Sequence, residues 1–408
     1  MQDSSPHFDV HIRRIAYGLY RSYPNLFVRK LKLSKLLVGG VNRYSAATHA
    51  RLTGDLRRPS TPVAASAHAK FLRAYRQIGD TIFQSEQFAA TLYYKWALEC
   101  INLYGRYFSC TEAHDIVHKA RSFAGMLDGD RSSVYHRHEG RVGAPVEVRR
   151  IKFSDCYEIV DGHHRLSIAA INGLDEYPCS ILPTEGALTP MQELVMDCEW
   201  MFAKRHLSQP IATPELANWR VTRECTDRLK MMLAWLARNG ISSGSFLDIG
   251  SSYGWFVSEM SKRGFQARGI DRDAAQCTVG PLAYGIKQSA NIVADAATFL
   301  RSCMRQHDVV CCLSVLHRFV MGAEAISAVE FIQLVDKSTA RVLFLETGEC
   351  HEKDFNRCPP GWSVNCIESW LREHTSFSTI EILGTDDDSG DCLRKQHGLQ
   401  LFVCSRAR

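Results

Sequence analysis

With 408 residues, 45% of them apolar, the chain can bury more than one core, and domain sizes predict two or three units. No apolar run reaches membrane-spanning length, no secretory h-region is present, and the fifteen cysteines lack paired zinc-finger spacing, so a reducing cytosol is expected. The net charge of +5 is uneven: residues 1–60 hold eleven Lys/Arg and three Asp/Glu, a balance of +8 that leaves −3 for the remainder.

In that basic stretch Ile12, Ile15, Ala16 and Leu19 share one helical face beside Arg13, Arg14 and Arg21, and Arg29-Lys-Leu-Lys32 follows Pro24. Such a face suits a helix lying on an anionic membrane surface, which would place a cytoplasmic protein peripheral to the inner membrane, or one docked onto an acidic glycan carrier. A solvated basic face packed on its own domain is the equal alternative. Between Ser66 and Leu127 the pattern is helical, with Phe88, Leu92, Trp96, Cys100 and Leu103 predicted on one core face. Residues 1–135 therefore read as a basic and helical region without recognisable chemistry.

The period then changes. Residues 145–151 and 156–160 read as strands leading into Asp161-Gly-His-His-Arg165, a helix over 166–172 and another strand over 177–182. A strand, a tight Asp-Gly turn and a helix opening with two His and an Arg make a compact anion site, because helix N-terminal amides and a guanidinium can both face a phosphate. The box and its flanks resemble the ParB/sulfiredoxin fold, and more closely the branch with free-serine kinases than the CTP-binding partition proteins, whose box usually has Glu-Arg-Arg. Over about residues 140 to 183 the resemblance implies an α+β unit, set at 136–184, in which His163, His164 and Arg165 handle the phosphate of ATP or another nucleotide. Asp161 would be a polar or metal contact, and Glu139 and Glu158 are candidates for the kinase branch's catalytic Glu, whose position is not matched. Phosphotransfer, binding without turnover, and a structural remnant in which the His pair caps the helix all stay open. No metal centre is expected, since adjacent histidines diverge on a helix and no Cys or carboxylate stands at ligand spacing from them.

Residues 185–240 read as a helical connector, because Met191, Leu194, Val195, Cys198 and Met201, and then Cys225, Leu229, Met232 and Leu236, repeat at helical spacing before Asn239-Gly240. In the last unit, 241–408, Ser245-Phe-Leu-Asp-Ile-Gly-Ser-Ser-Tyr-Gly-Trp-Phe256 precedes Gly269-Ile-Asp-Arg-Asp273. A strand, a small-residue turn, a helix, and a second strand ending on a carboxylate form the layout of a nucleotide-type site on a doubly wound sheet. Gly250 and Gly254 let the backbone bend and approach a ligand, Ser251 and Ser252 offer N–H groups with the helix start, and Asp271 can accept both hydroxyls of a ribose. An NAD fingerprint requires G-x-G-x-x-G; here the spacing is Asp248-x-Gly250-x-x-x-Gly254, with Ser252 in place of the middle glycine, which weakens that reading.

Leu247-Asp-Ile-Gly-Ser-Ser-Tyr-Gly254 resembles the first motif of class I S-adenosylmethionine-dependent methyltransferases. Asn291-Ile-Val-Ala-Asp-Ala296 is similar to their adenine-side motif, and the segment from Asp308 to Phe319 to their fourth strand and substrate-facing loop. Residues 341–346 read as a fifth strand, and 379–384 with 399–404 as the antiparallel closing pair, joined by the polar segment 386–396. The resemblance implies an α/β, Rossmann-like seven-stranded sheet and S-adenosylmethionine as cofactor. Asp248, Gly250, Ser251, Ser252, Tyr253 and Gly254 would then form the cofactor turn, with Gly250 at the methionine part. Asp271 would take the ribose, Asp295 and Ala296 the adenine, and Leu313 the end of strand four.

Leu313-Ser-Val-Leu-His317 is also similar to bifunctional kinase/methyltransferases that cap bacterial O-antigen polysaccharides. That similarity implies O-methylation of a glycan, lipid-linked glycan or phosphorylated glycan. A phosphate acceptor would be held by His317 and Arg318, whereas a sugar hydroxyl would need a neutral His317 as base, with an ordinary pKa of about 6.5. Arg318 and the phosphate-type box on the same chain tilt the reading toward phosphate. The alternatives are a small-molecule or polysaccharide O-methyltransferase with a non-catalytic N-terminal half, and a nucleic-acid methyltransferase. Against the latter, Leu313-Ser-Val-Leu-His317 stands where an Asn/Asp-Pro-Pro-Tyr/Phe tetrad would be needed.

Overall fold

A computed structural model describes residues 15–41, 44–127, 146–184, 186–198, 205–303, 305–346, 362–386 and 399–407. The chain divides into two compact units, one of residues 1–193 with 213–218 and one of residues 194–212 with 219–408. Glu139, Ile12, Arg13, Arg14, Met201 and most of the 386–396 segment lie outside the described residues.

The first unit holds a sheet in the order β1-β5-β3-β4-β2, formed by Val28–Lys32 (β1), Leu36–Leu37 (β2), Val146–Arg150 (β3), Tyr157–Asp161 (β4) and Glu176–Ile181 (β5). The three strands expected around the box are present, but they do not form a sheet by themselves. β1 lies antiparallel on β5, Val28 opposite Ser180, and β2 lies parallel to β4, Leu36 opposite Tyr157. The boundary expected at 135 therefore does not separate the basic N-terminus from the box, because its strands complete the same sheet across more than a hundred residues of chain. Gly39, just after β2, makes the approach possible: a Cβ there would lie 1.4 Å from the Ile159 carbonyl oxygen.

Helices pack beside this sheet, with one shift from expectation. Helix Leu92–Tyr104 buries Tyr93, Trp96, Ala97 and Cys100, while Leu92 and Leu103 are exposed. The helical phase restarts at Thr91, whose hydroxyl caps the helix by accepting from the Tyr94 N–H, so Phe88 belongs to the separate helix Ser85–Ala90. Upstream, residues 15–22 are helical and anchored by Tyr20, whose hydroxyl donates to Glu147 at 2.6 Å, while Ile15 and Leu19 are exposed. No helix among the described residues is long and apolar enough to cross a membrane.

The box histidines pack against the aromatic side chains of this unit, His163 buried and His164 half-buried. His163 is 4% exposed and its Nε2 accepts the Gly39 N–H at 3.0 Å, while His164 bonds the Tyr93 hydroxyl at 3.1 Å and stacks edge-on against Phe123. Burial pushes the His163 pKa down to about 4, so it is neutral near pH 7. Its contribution to stability is complete above the unfolded-state value of about 6.5 and is lost as pH falls toward about 4, since only the unfolded chain takes up the proton. We expect roughly 3 kcal/mol of acid destabilisation from this residue. Denaturant unfolding of wild type and His163→Gln, which keeps an acceptor for Gly39, checks this, and equal acid sensitivity in both would refute it.

The second unit is built on a sheet in the order β10-β9-β8-β11-β12-β14-β13. Its strands are Gly244–Ile249 (β8), Phe265–Asp271 (β9), Asn291–Val293 (β10), His307–Leu313 (β11), Thr339–Glu346 (β12), Thr379–Thr385 (β13) and Gln400–Ser405 (β14). All pairings are parallel except those of β14, which is antiparallel to both β12 and β13. Both sheet faces are covered: Leu247, Val310, Cys312 and Leu343 face one apolar layer, and Phe246, Val309, Cys311 and Phe344 face the other. Cys311 and Cys312 point to opposite layers and are fully buried. The expected connector is not one helical bridge. Helix Pro190–Met196 begins in the first unit, a two-residue ladder pairs His206–Leu207 (β6) with Arg220–Val221 (β7), and helix Thr226–Arg238 packs in the second.

Candidate cofactor-binding site

β8 is the topological switch point, since the chain winds outward to β9 and β10 on one side and to β11 and β12 on the other; ligands of such sheets sit beyond the carboxyl ends there. The turn leaving β8 is tight. Gly250 has φ +74°, Ser252 φ +53° and Gly254 φ +82°, and the N–H groups of Gly250 and Ser251 both donate to the Ile270 carbonyl of β9. A Cβ on Gly250 would meet a Val315 methyl at 2.3 Å, so the segment after β11 closes directly against this turn. Ser251 donates to the Asn291 side chain at 2.6 Å, tying the turn to β10 as well.

Three carboxylates stand at the ends of three adjacent strands. Asp271 accepts the Ser252 N–H and the Asp273 N–H, both at 2.9 Å, and burial raises its pKa. Asp295 follows β10, is exposed, and caps helix Ala296–Ser302 by accepting the Thr298 N–H at 2.8 Å. Asp248 is 2% exposed and its Oδ2 has no hydrogen-bond partner among the described residues. Burial, and then the nearby Asp271, push its pKa up to about 8. Tyr253 is buried below the turn, and Leu313 ends β11 at its edge.

This geometry fits S-adenosylmethionine on its own chemistry. An orphaned buried acceptor at Asp248 suits an ammonium group, each Asp271 oxygen retains acceptor capacity for a ribose hydroxyl, and the Gly250 turn admits close approach of a ligand. The cofactor would supply a methyl group on a sulfonium.

The turn is braced by residues that the sequence does not signal. Gln209 Nε2 donates to the Ser251 carbonyl at 3.2 Å and its Oε1 accepts the Trp255 N–H at 3.1 Å, serving as a remote cap for helix Trp255–Lys262. The Ser208 hydroxyl pairs with that of Ser252 at 2.7 Å. Behind the acceptor side lies an unexpected charged cluster around Glu346, the last residue of β12. Its carboxylate accepts the Ser314 hydroxyl at 2.6 Å and pairs with Arg223 at 3.5 Å and Arg228 at 3.4 Å, and Arg223 also pairs with Asp386. A carboxylate ending the apolar run Val342-Leu-Phe-Leu-Glu346 was the one legible signal for this cluster.

His317 and Arg318 differ from expectation. Burial, and then Arg318, push His317 down to about 4, so with no anion beside it the imidazole is neutral near pH 7 rather than a preformed cationic phosphate clamp. Arg318 is engaged by Glu324, its Nε donating at 2.6 Å. In the first unit His163 is buried with its Nε2 taken by the Gly39 N–H, and the half-buried His164 bonds the Tyr93 hydroxyl, so the fold already gives both imidazoles structural partners. Arg165 pairs with Asp161 at 3.0 Å, and Glu158 accepts the Ala46 N–H at 2.7 Å, a structural cap rather than a poised catalytic carboxylate.

No protein-family model and no curated protein matches the chain. Among solved structures it is similar to WbdD, with 18% identity and a TM-score of 0.43 over 53% of this chain and 47% of that one. A second WbdD structure, described as a bifunctional kinase-methyltransferase, gives 16% and 0.41 over 53% and 46%. Magnesium protoporphyrin IX methyltransferase ChlM from Synechocystis PCC 6803, with bound SAM, gives 18% and 0.32 over 44% and 79%. The chain thus spans less than half the length of WbdD, and likenesses this distant transfer no activity to it.

Proposed function

We propose that the second unit is an S-adenosylmethionine-dependent O-methyltransferase acting on a glycan or phosphorylated glycan. The observation that carries the cofactor reading is the buried Asp248 carboxylate beneath a glycine turn, bonded by the Cys311 thiol but with its Oδ2 unpartnered among the described residues, and with Asp271 and Asp295 at the ends of the two neighbouring strands. A cationic ligand beside Asp248 favours its ionised form, so binding is coupled to release of the proton held at a pKa of about 8. The affinity for S-adenosylhomocysteine should therefore rise with pH between about 6 and about 7.5, by at most about tenfold per pH unit, while the ligand's amino group remains cationic. Calorimetry in buffers of different ionisation enthalpy measures the released proton; a pH-independent affinity with no proton release would refute this role for Asp248.

For the acceptor, a neutral His317 favours a hydroxyl over an already ionised phosphate, reversing the tilt given by Arg318 and the box. The neutral imidazole can take the hydroxyl proton as methyl transfer proceeds, and Ser314, held by Glu346, fixes the segment that carries it. With His317 as base, the single-turnover rate falls only on acidification toward about pH 4, and His317→Gln is slower above that range and loses the fall. Methylation of fractionated glycan pools with labelled cofactor identifies the acceptor, and transfer to nucleic acid or small molecules alone would replace the glycan reading. The first unit's box gives weaker support for phosphotransfer or for ATP, because the fold already uses its histidines.

A further inference from the structure

A cleft of about 720 Å³ opens in the second unit at the end of the sheet where the strands begin, away from the cofactor turn; it is bordered by Ser245 of β8, Phe265–Arg268 of β9 and His307 of β11. Lys262, Arg268, Lys287 and Arg305 line it together with His307, and no carboxylate does. Lys262 is paired with Glu259 at 2.6 Å, but Arg268, Lys287 and Arg305 make no ion pair with any described residue. His307 is 6% exposed and its Nδ1 has no hydrogen-bond partner among the described residues. Burial, then Arg305 and Arg268, disfavour its protonation, only partly opposed by the nearby Asp308 and a backbone hydrogen bond with Ser338.

Basic groups often gather where helices end, offsetting the negative pole of the helix dipole. Lys262, the last residue of its helix, fits that explanation. Arg268 lies on a strand, Lys287 in a loop and Arg305 before β11, so the dipole does not account for them. An anion would: guanidinium groups match phosphate oxygens in charge and geometry, and three cations without an ion pair among the described residues suit more than one phosphate. The volume falls within the usual range for small-molecule sites, about 300–1,000 Å³. Phe265, Ile286 and Phe299 add an apolar wall for an organic portion.

We propose that this cleft is a binding site for a nucleoside diphosphate or a similar organic diphosphate, separate from the cofactor turn. The test is calorimetry on the full chain with ADP, AMP and inorganic pyrophosphate. ADP should bind, with AMP about tenfold or more weaker for want of one charge-assisted contact and pyrophosphate weaker than ADP for want of the apolar contact. The double variant Arg268→Ala/Arg305→Ala removes two exposed side chains; it should weaken ADP about tenfold or more, with the melting temperature and S-adenosylhomocysteine affinity unchanged. No ADP binding, or pyrophosphate binding as tightly as ADP, would overturn the proposal. ADP binding that survives the double variant but is lost in Arg165→Ala would place the nucleotide at the box of the first unit and overturn it as well.

Discussion

Asp271→Ala is expected to weaken S-adenosylhomocysteine binding by about a hundredfold or more. The carboxylate is positioned to accept two ribose hydroxyls, and hydrogen bonds to a charged group contribute about 1.5–3 kcal/mol each, against about 1.4 kcal/mol per tenfold in affinity. The same carboxylate also accepts the Ser252 and Asp273 N–H groups, so its removal loosens the turn that follows β8 as well as the ribose contact. Asp271→Asn keeps an acceptor oxygen and the side-chain volume, and should lose less. Calorimetry on both variants, with melting curves to confirm folding, is the measurement, and an unchanged affinity in Asp271→Ala would remove the cofactor from this turn.

Glu346→Ala should strongly destabilise the second unit. Glu346 is fully buried, its two oxygens engage Ser314, Arg223 and Arg228, and Arg228 is itself only 2% exposed. Deleting one member of such a cluster leaves a buried guanidinium without its counter-charge, at a cost of about 3–5 kcal/mol, which for a unit of this size lowers the melting temperature by on the order of 10 °C. Glu346→Gln retains hydrogen-bonding capacity without the charge and should fall between wild type and Ala. A loss below about 1 kcal/mol for Glu346→Ala in denaturant unfolding would mean that Asp386 and Asp227 suffice to neutralise the two arginines. Glu346→Ala should also slow methyl transfer, because Ser314 has φ +55° and its hydroxyl, which donates to the Glu346 carboxylate, then loses its partner and keeps only the N–H bond to the Glu346 main-chain carbonyl.

The turn from Asp248 to Gly254, the carboxylates Asp271 and Asp295, and the strands around them could be read from the chain alone. They depend on neighbours within a few residues: glycines where φ is positive, alternating burial along a strand, and an acidic residue at a strand end or helix cap. Other features needed the tertiary structure. Phe88 and Trp96 fit one helical stripe until Thr91 caps a new helix and resets the phase, a choice fixed by what Tyr93 and Cys100 can bury against. The box Asp161-Gly-His-His-Arg165 has the composition of an anion site, but Gly39, more than a hundred residues earlier, comes close enough to donate to His163 and turn the imidazole into a core acceptor. The protonation of His317 and Asp248, the bracing by Gln209, and the pairing of Glu346 with Arg223 and Arg228 follow from groups distant in sequence. Sequence by itself marked where the cofactor turn bends, at Gly250 and Gly254, because backbone sterics act locally; the tertiary structure decided the positive φ of Ser252 and which polar groups are buried, paired or left to meet a ligand, because packing, desolvation and charge act through space.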